Sequence, residues 1–335
     1  DWTAHRLVQE QLHGRESVPF FGWHYPPPFL LIATALATLP YFAALFIWQA
    51  ITLLLCLAVV RRIAPHPQTW LFALAAPVVL ICLTHGHNGF LTGALLGGGL
   101  LLLDRKPLIA GLLLGCLIYK PQFGVLIPPL LLICWNWRAI AGAALSAGGL
   151  IAITLGLWGW PVWQAFIDSL PLTQHIVIEQ GATGWQKIMS TFAAVRAWGG
   201  PVAVAYAGQT ASTIIAVALA LWCARKGRPA IRNAAVCAAA VLSTPYILDY
   251  DMVITGIGVA FMVADAREHG WRTWEKSSLA LIWATPLFAR AVAEWTLVPL
   301  GLLSAILLLA LAVRRTPAPQ LTAWPFRHSR AASAP

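Results

Sequence analysis

The chain has 335 residues, of which 59% are hydrophobic and only 10% are charged, and its formal net charge is +10. So few charges cannot cover the surface of a soluble protein of this length, so the composition excludes a water-soluble globule and predicts a polytopic membrane protein. The basic residues fall in short clusters between apolar runs, which is typical of membrane topology signals and argues against nucleic-acid binding. The six cysteines lie in or beside apolar runs without a Cys-x-x-Cys pair, which favours buried thiols over disulfides or metal ligands.

Residues 1–28 are predicted to form a polar outer loop that contains an amphipathic helix. The stretch Trp23-His24-Tyr25-Pro26-Pro27-Pro28-Phe29 ends this loop, because three prolines lack N–H donors and disfavour helical geometry before them. We expect the chain to enter the membrane here, with residues 29–39 forming a half-inserted helix. Asp1 follows neither a methionine nor a signal-like segment, so we expect a preceding piece to be missing.

Apolar runs then predict an all-α bundle of membrane-crossing helices, within a domain that extends over residues 29–313. The eleven expected crossings are 41–60, 69–84, 89–103, 107–119, 122–135, 139–158, 201–223, 233–248, 251–265, 277–289 and 296–313. Several are shorter than the roughly 20 residues that span a bilayer, so we expect some of them to be broken or to end in a cavity. One missing first helix would make twelve crossings.

The distribution of Lys and Arg predicts the topology, since these residues accumulate on the cytoplasmic side. Alternate crossings place sixteen of the 22 on one side, namely Arg61, Arg62, Arg105, Lys106, Arg138, Arg225, Lys226, Arg228, Arg232, Arg267, Arg272, Lys276, Arg314, Arg315, Arg327 and Arg330. We therefore expect a multi-pass protein of a bacterial-type inner membrane. The long loop 159–200 would face the periplasm, and residues 314–335 would form a disordered cytoplasmic tail.

Polar residues concentrate at the outward ends of the predicted crossings, whereas the inner loops offer mainly arginines. A transporter would be expected to carry ionisable residues near the midplane of an internal repeat, and no repeat is evident. A structural subunit would not need the outward polar cluster. An active site open to the outer side fits better, and a lipid-linked-sugar flippase or other transporter remains the alternative.

Several motifs in a fixed order resemble those of a known family. They are Trp23-His24-Tyr25-Pro26-Pro27-Pro28-Phe29, Gly86-His87-Asn88, Asp104-Arg105-Lys106-Pro107, Tyr119-Lys120-Pro121-Gln122, Gln186-Lys187-Ile188-Met189-Ser190-Thr191-Phe192 and Ser243-Thr244-Pro245-Tyr246-Ile247-Leu248-Asp249-Tyr250-Asp251. Together they resemble glycosyltransferase family 87, the polyprenol-phosphate-mannose-dependent, mannosyltransferase-like membrane proteins of the GT-C superfamily. The resemblance covers almost the whole chain. It departs at the start, where the family has a first transmembrane helix before a loop Asp.

The resemblance implies a GT-C-type bundle that moves a hexose such as mannose from a polyprenyl-phosphate donor to a lipid or glycan acceptor at the outer face, with inversion and without a cofactor. Such a reaction needs a carboxylate to accept the acceptor's proton. Asp1 matches the position of the family's loop carboxylate and is the expected general base. Its alternative role is a solvated terminal residue or a helix N-cap.

The departing lipid phosphate needs fixed cations near the outer boundary. Lys120 is the first candidate, because Tyr119-Lys120-Pro121-Gln122 interrupts two apolar runs on the outward side. It would otherwise be a lysine that extends to the lipid headgroups. Lys187 and Arg196 are further phosphate candidates, or surface cations of the outer loop.

Sugar or acceptor hydroxyls are expected to bind polar side chains at the same ends of the crossings, namely His24, Tyr25, His87, Asn88, Gln122, Asp249 and Asp251. The pair His85 and His87 lacks a clear third ligand, so a metal site is disfavoured and a polar turn is expected. Asp249 and Asp251 are alternatively helix caps. Trp23 and Tyr25 are alternatively part of an interfacial aromatic belt.

Overall fold

The computed structural model describes residues 2–14 and 22–317, so Asp1 and the tail beyond residue 317 lie outside the described residues. This part of the chain is helical, as predicted, and its β-pairing amounts to one isolated antiparallel bridge, between Ile188 and Leu248. The first eight α-helices are α1 (Trp2–His13), α2 (Leu30–Leu36), α3 (Tyr41–Ile63), α4 (Thr69–Leu74), α5 (Pro77–His85), α6 (Gly89–Leu102), α7 (Pro107–Gly115) and α8 (Ile127–Ile133). The remaining ones are α9 (Trp137–Thr173), α10 (Thr191–Ala197), α11 (Val202–Lys226), α12 (Pro229–Leu242), α13 (Val253–His269), α14 (Glu275–Thr296) and α15 (Leu300–Arg315).

Within the described residues, three helical elements are long and apolar enough to cross a membrane, namely α3, α11 and α9 with its extension to Glu179. Shorter runs are broken, as expected. The run predicted at 69–84 is divided between α4 and α5, because Pro77 begins a new helix there. The run at 122–135 becomes a 3₁₀ turn, Pro121–Val125, followed by α8. The number of crossings stays a prediction.

Helix α12 forms the centre of the bundle. Every residue from Ile231 to Leu242 is buried, and α11, α13, α15 and α6 pack around it. Its many alanines let the neighbouring backbones approach closely, which favours helix association in membranes. The same applies where α7 crosses α9, since a Cβ at Gly111 would lie 2.0 Å from the carbonyl oxygen of Ala139. Helix α3 lies at the periphery, where Phe42 and Phe46 are exposed as expected for a lipid-facing surface.

Helix α9 changes direction at Gly159, whose φ of 71° and ψ of −178° interrupt the helical backbone. The long outer loop predicted for residues 159–200 starts at this kink. It is largely helical, however, because it contains the second half of α9, the π-helical turn Gln174–Glu179 and α10.

Ion pairs gather many of the basic residues at one end of the bundle. Arg232 pairs with Asp104 at 2.8 Å, and Arg228 and Arg315 both pair with Asp265 at 2.6 Å. Arg315 also bonds Glu275. We call this end, defined by these five residues and Glu275, the basic end. Arg314 and Arg315, which the sequence analysis assigned to the tail, belong to α15.

Candidate active site

A buried ion pair between Lys120 and Asp251 lies at the opposite end of the bundle. Lys120 separates the 3₁₀ turns Cys116–Tyr119 and Pro121–Val125, and Asp251 belongs to the 3₁₀ turn Asp249–Met252 before α13. The ammonium group donates to Asp251 Oδ1, and both side chains are only 2% exposed. Buried ions lose their hydration, so each needs the other for compensation. Lys120, predicted to bind phosphate, is thus paired with a protein carboxylate.

Tyr250 extends this pair into a stack of side chains. The Lys120 ammonium lies 5.1 Å from the centre of the Tyr250 ring. The His87 ring stacks on the same Tyr250 ring, with the two centroids 4.1 Å apart. A cation near an aromatic face and two parallel rings are both favourable arrangements. The structure therefore joins the predicted residues Lys120, His87 and Asp251 through Tyr250, which sequence reasoning did not assign to the site.

Residues of α5 and α6 contact the backbone of the turn that carries Tyr250. The thiol of Cys82 donates to the Tyr250 carbonyl at 3.3 Å. Gly89, the first residue of α6, approaches so closely that a Cβ there would lie 2.4 Å from the same oxygen. No larger side chain fits this contact without displacing the turn.

Asn88 has an unsatisfied oxygen next to a cavity. Asn88 is only 2% exposed, and its Oδ1 atom has no hydrogen-bond partner within the described residues. Leaving a buried polar atom unpaired costs about 1–3 kcal/mol. Asn88 also lines the cavity, so a small shift of its side chain would let Oδ1 accept from a hydroxyl there; its role in binding sugar hydroxyls stays a prediction.

The cavity has a volume of about 390 Å³ and combines aromatic, apolar and polar walls. It is lined by Trp23, Tyr25, Phe29, Ile32, Ala33, Leu36, Tyr41, Ala44, Leu45, Trp48, Leu83, Thr84, His85, Gly86, His87 and Asn88. The Phe29 ring stacks on Tyr119 at 5.1 Å, and the Tyr119 hydroxyl bonds Thr92 Oγ1 at 2.7 Å. The triple-proline segment thus presents its aromatic residues to the polar turn before α6.

Asp249 is the first residue of the 3₁₀ turn that carries Tyr250, and basic side chains lie near it. The segment after Lys187 runs antiparallel to the segment before Asp249, with Met189 N donating to Ile247 O at 2.8 Å. Asp249 is 5% exposed, and its Oδ1 accepts from the Tyr250 amide at 2.9 Å. Burial raises the pKa of Asp249, while His85, the Tyr250 amide, Arg290 and Lys187 act in the opposite direction.

The remaining predicted residues lie around this centre with different contacts. Arg196 donates to the carbonyls of Gly200 and Glu179, at 2.8 and 3.1 Å, so its guanidinium holds the outer segment together. The Nδ1 atom of His24 lies 3.0 Å from Thr173 Oγ1, and burial lowers the pKa of His24. Gln122 is half-buried, two residues after Lys120.

The expected general base and the disfavoured metal site are the two remaining parts of the predicted chemistry. Asp1, the expected base, lies outside the described residues. Among the described residues, no group of three or more His, Cys, Asp and Glu side chains is arranged to hold a metal ion. His85 and His87 stack with centroids 5.9 Å apart.

Sequence reasoning missed Tyr250 and Tyr119 as parts of the site. The available signal was their position beside charged residues at the ends of apolar runs: Tyr119 precedes Lys120, and Tyr250 lies between two aspartates. Both are buried and have polar or aromatic contacts with predicted site residues.

Comparisons with known proteins identify the family. Neither the curated proteins nor the solved structures contain a match to this chain. The model of glycosyltransferase family 87 matches residues 23–246, which is more than half of the chain. The match contains the Trp23–Phe29 segment and Lys120, and it includes neither Asp1 nor the Asp249–Met252 turn. The chain therefore belongs to glycosyltransferase family 87.

Proposed function

We propose that this membrane glycosyltransferase transfers a hexose such as mannose from a polyprenyl-phosphate donor to a hydroxyl group of a lipid or glycan acceptor. The transfer takes place at the outer face of a bacterial-type inner membrane and inverts the anomeric centre. The observation that carries the proposal is the cavity lined by His87, which contacts Lys120 through the Tyr250 ring, because the cavity walls suit the lipid and the sugar of such a donor.

The walls of the cavity favour a lipid-linked sugar over a soluble nucleotide sugar. Ile32, Leu36 and Leu45 form an apolar side that suits a polyprenyl chain. His87 and Asn88 offer polar atoms to sugar hydroxyls on the other side. The aromatic faces of Tyr25 and Trp23 complete the enclosure at the entrance of the membrane-spanning region.

The phosphate is proposed to lie near Lys120 and Lys187, with Arg196 more distant in the outer segment. As the bond from the anomeric carbon to the phosphate oxygen breaks, negative charge grows on the phosphate and nearby cations stabilise it. Because Lys120 is already paired with Asp251, the phosphate must share or displace that partner. Lys187 lies beside Asp249, so it adds positive charge on the same side.

The new glycosidic bond forms between the acceptor oxygen and the anomeric carbon, on the face opposite the leaving phosphate. A carboxylate accepts the hydroxyl proton, and we assign this role to Asp1. Asp249 and Asp251, together with His24, Tyr25, His87, Asn88 and Gln122, are assigned to sugar or acceptor hydroxyls. Each of these groups binds or orients substrate, and no cofactor takes part.

The test is transfer from a labelled donor in membranes that contain the full-length protein. Radiolabelled polyprenyl-phosphate mannose is added, and the label is followed into lipid and glycan fractions. We expect label in an acceptor fraction and a large loss with His87→Ala, which leaves the basic end intact. Label that changes leaflet but stays on the polyprenyl phosphate would show a flippase instead.

A further inference from the structure

A second cavity lies towards the basic end, away from the candidate active site. It has a volume of about 470 Å³ and runs between α3, α4, α5, α13 and α14. Its walls are almost entirely apolar, with residues such as Leu57, Val60, Val263 and Leu279. We call it the inner groove. Within it, Gly256 faces open space, because no atom lies within 4 Å of a Cβ placed there.

The inner groove is long enough for a hydrocarbon chain. On α13 it extends from Val253 to Arg267, a distance of about 21 Å at the helical rise. One leaflet contributes only about 15 Å of hydrocarbon, half of the bilayer core. The deep end at Val253 directly follows the Asp249–Met252 turn, whereas the open end lies beside Arg267.

Positive charge surrounds the open end of the inner groove. Arg267, Lys276 and His66 line it, and the Lys276 ammonium lies 5.3 Å from the centre of the Trp271 ring. Among the residues that the structure describes, no acidic side chain lines the groove. Within the described residues, no hydrogen bond or ion pair reaches the side chains of Arg267 and Lys276.

This lack of counter-charge distinguishes the rim from the rest of the basic end. Arg228, Arg232 and Arg315 are each neutralised by an aspartate or glutamate. Two unpaired cations above an apolar slot, with a tryptophan at the boundary, are complementary to a lipid that combines a negative headgroup with an acyl chain.

We propose that the inner groove binds one anionic glycerophospholipid, with an acyl chain along α13 and the phosphate between Arg267 and Lys276. This site is separate from the proposed donor site, which lies beyond the Asp249–Met252 turn. A zwitterionic lipid would bring its own positive group to a rim whose described lining residues include no carboxylate.

Native mass spectrometry of the purified full chain tests the proposal. Phosphatidylglycerol and phosphatidylcholine with the same acyl chains are titrated separately. We expect one phosphatidylglycerol to be retained, with about 30-fold weaker binding after Arg267→Gln/Lys276→Gln, since each basic residue near an anionic headgroup contributes about fivefold. The matched control is Arg225→Gln/Lys226→Gln, which removes the same charge from exposed residues that do not line the groove.

A second pair of variants tests the apolar slot without changing charge. Gly256→Leu fills the groove and should abolish retention, whereas Gly148→Leu, also in open space but on α9, should leave it unchanged. Size-exclusion profiles establish whether each variant is folded. If Gly256→Leu does not fold, the charge variants and their control decide the test. Equal phosphatidylglycerol retention by the charge variants and their control, equal retention of phosphatidylcholine, or displacement by polyprenyl phosphate would overturn the proposal.

Discussion

Asp1 is the residue on which the proposed chemistry depends most. Asp1→Asn keeps the size of the side chain but cannot accept a proton, so transfer should fall by roughly 10²–10⁴-fold, the usual general-base contribution. Initial rates with labelled donor in membranes that contain the protein measure this. Donor binding should persist. Full turnover by Asp1→Asn, together with its loss in Asp249→Asn, would move the base to the Asp249–Met252 turn.

The pH dependence of transfer separates these two carboxylates further. Burial raises the pKa of Asp249, so this group becomes protonated at a higher pH than an exposed aspartate does. If its carboxylate binds a sugar hydroxyl or accepts the proton, activity declines as the pH falls through that raised pKa. We expect Asp249→Asn to remove this decline from the pH–rate profile. A decline that is identical in Asp249→Asn and wild type would assign it to another group.

Lys120 has both a structural and a proposed donor-binding role, and a double-mutant cycle with Asp251 separates them. Lys120→Ala leaves a buried carboxylate unpaired, which should destabilise the protein by about 3–5 kcal/mol. Lys120→Ala/Asp251→Ala removes both charges, so thermal stability in detergent should largely return.

If Lys120 also binds the donor phosphate, the double variant should transfer less than Asp251→Ala alone, since both variants lack the Asp251 carboxylate that is assigned to substrate hydroxyls. Lys120→Arg, which keeps the charge with a different geometry, should retain more donor-dependent activity than Lys120→Ala. Donor titrations of Lys120→Ala, Lys120→Arg, Asp251→Ala and the double variant provide the comparison. Recovery of both stability and donor response in the double variant would limit Lys120 to its pair with Asp251.

At the scale of elements, the sequence predicted helices and breaks better than it predicted their partners. Apolar runs act locally, so the residues themselves led us to expect that some short runs are broken. The places of the breaks, at Pro77 and in the 3₁₀ turn that begins at Pro121, come from the structure. The pairing of Lys120 with Asp251 joins residues 131 positions apart, and only the packing of the helices brings them together. Tyr250 was missed for the same reason, since its value lies in contacts with His87 and Lys120.

The contact of α6 with the Asp249–Met252 turn gives an element-scale prediction. Gly89→Ala places a methyl group against the Tyr250 carbonyl, so the turn must move. We expect a loss of about 1–3 kcal/mol from overpacking and a loss of transfer as His87 and Tyr250 separate. Gly148→Ala adds the same methyl group in open space on α9 and should have little effect. Unchanged activity and melting temperature in Gly89→Ala would show that the turn tolerates the shift.

For the whole molecule, the separation between the basic end and the candidate site predicts the orientation in the membrane. Basic residues favour the cytoplasmic side, so Ser169 in α9 should face outward and Ser277 in α14 inward. A membrane-impermeant maleimide applied to intact cells should label Ser169→Cys and label Ser277→Cys only after permeabilisation. The protein without an added cysteine is the control, because it shows how much its own six thiols are labelled. The reverse pattern would overturn the orientation and the outward-facing site.

The position of the kink in α9 predicts where this helix leaves the hydrocarbon core of the bilayer. Its 37 residues would measure about 56 Å as a straight helix, far more than the roughly 30 Å of hydrocarbon. Residues 137–158 alone cover about 33 Å, so we expect the boundary at Gly159, where Trp160 and Trp163 provide the aromatic residues usual at that level. Thr173, which contacts His24, comes after this boundary in the chain, so we expect it at headgroup height or beyond. The lipid-linked sugar that we propose as donor would then reach the Trp23–Phe29 segment by moving sideways within its own leaflet, without lifting its tail into water.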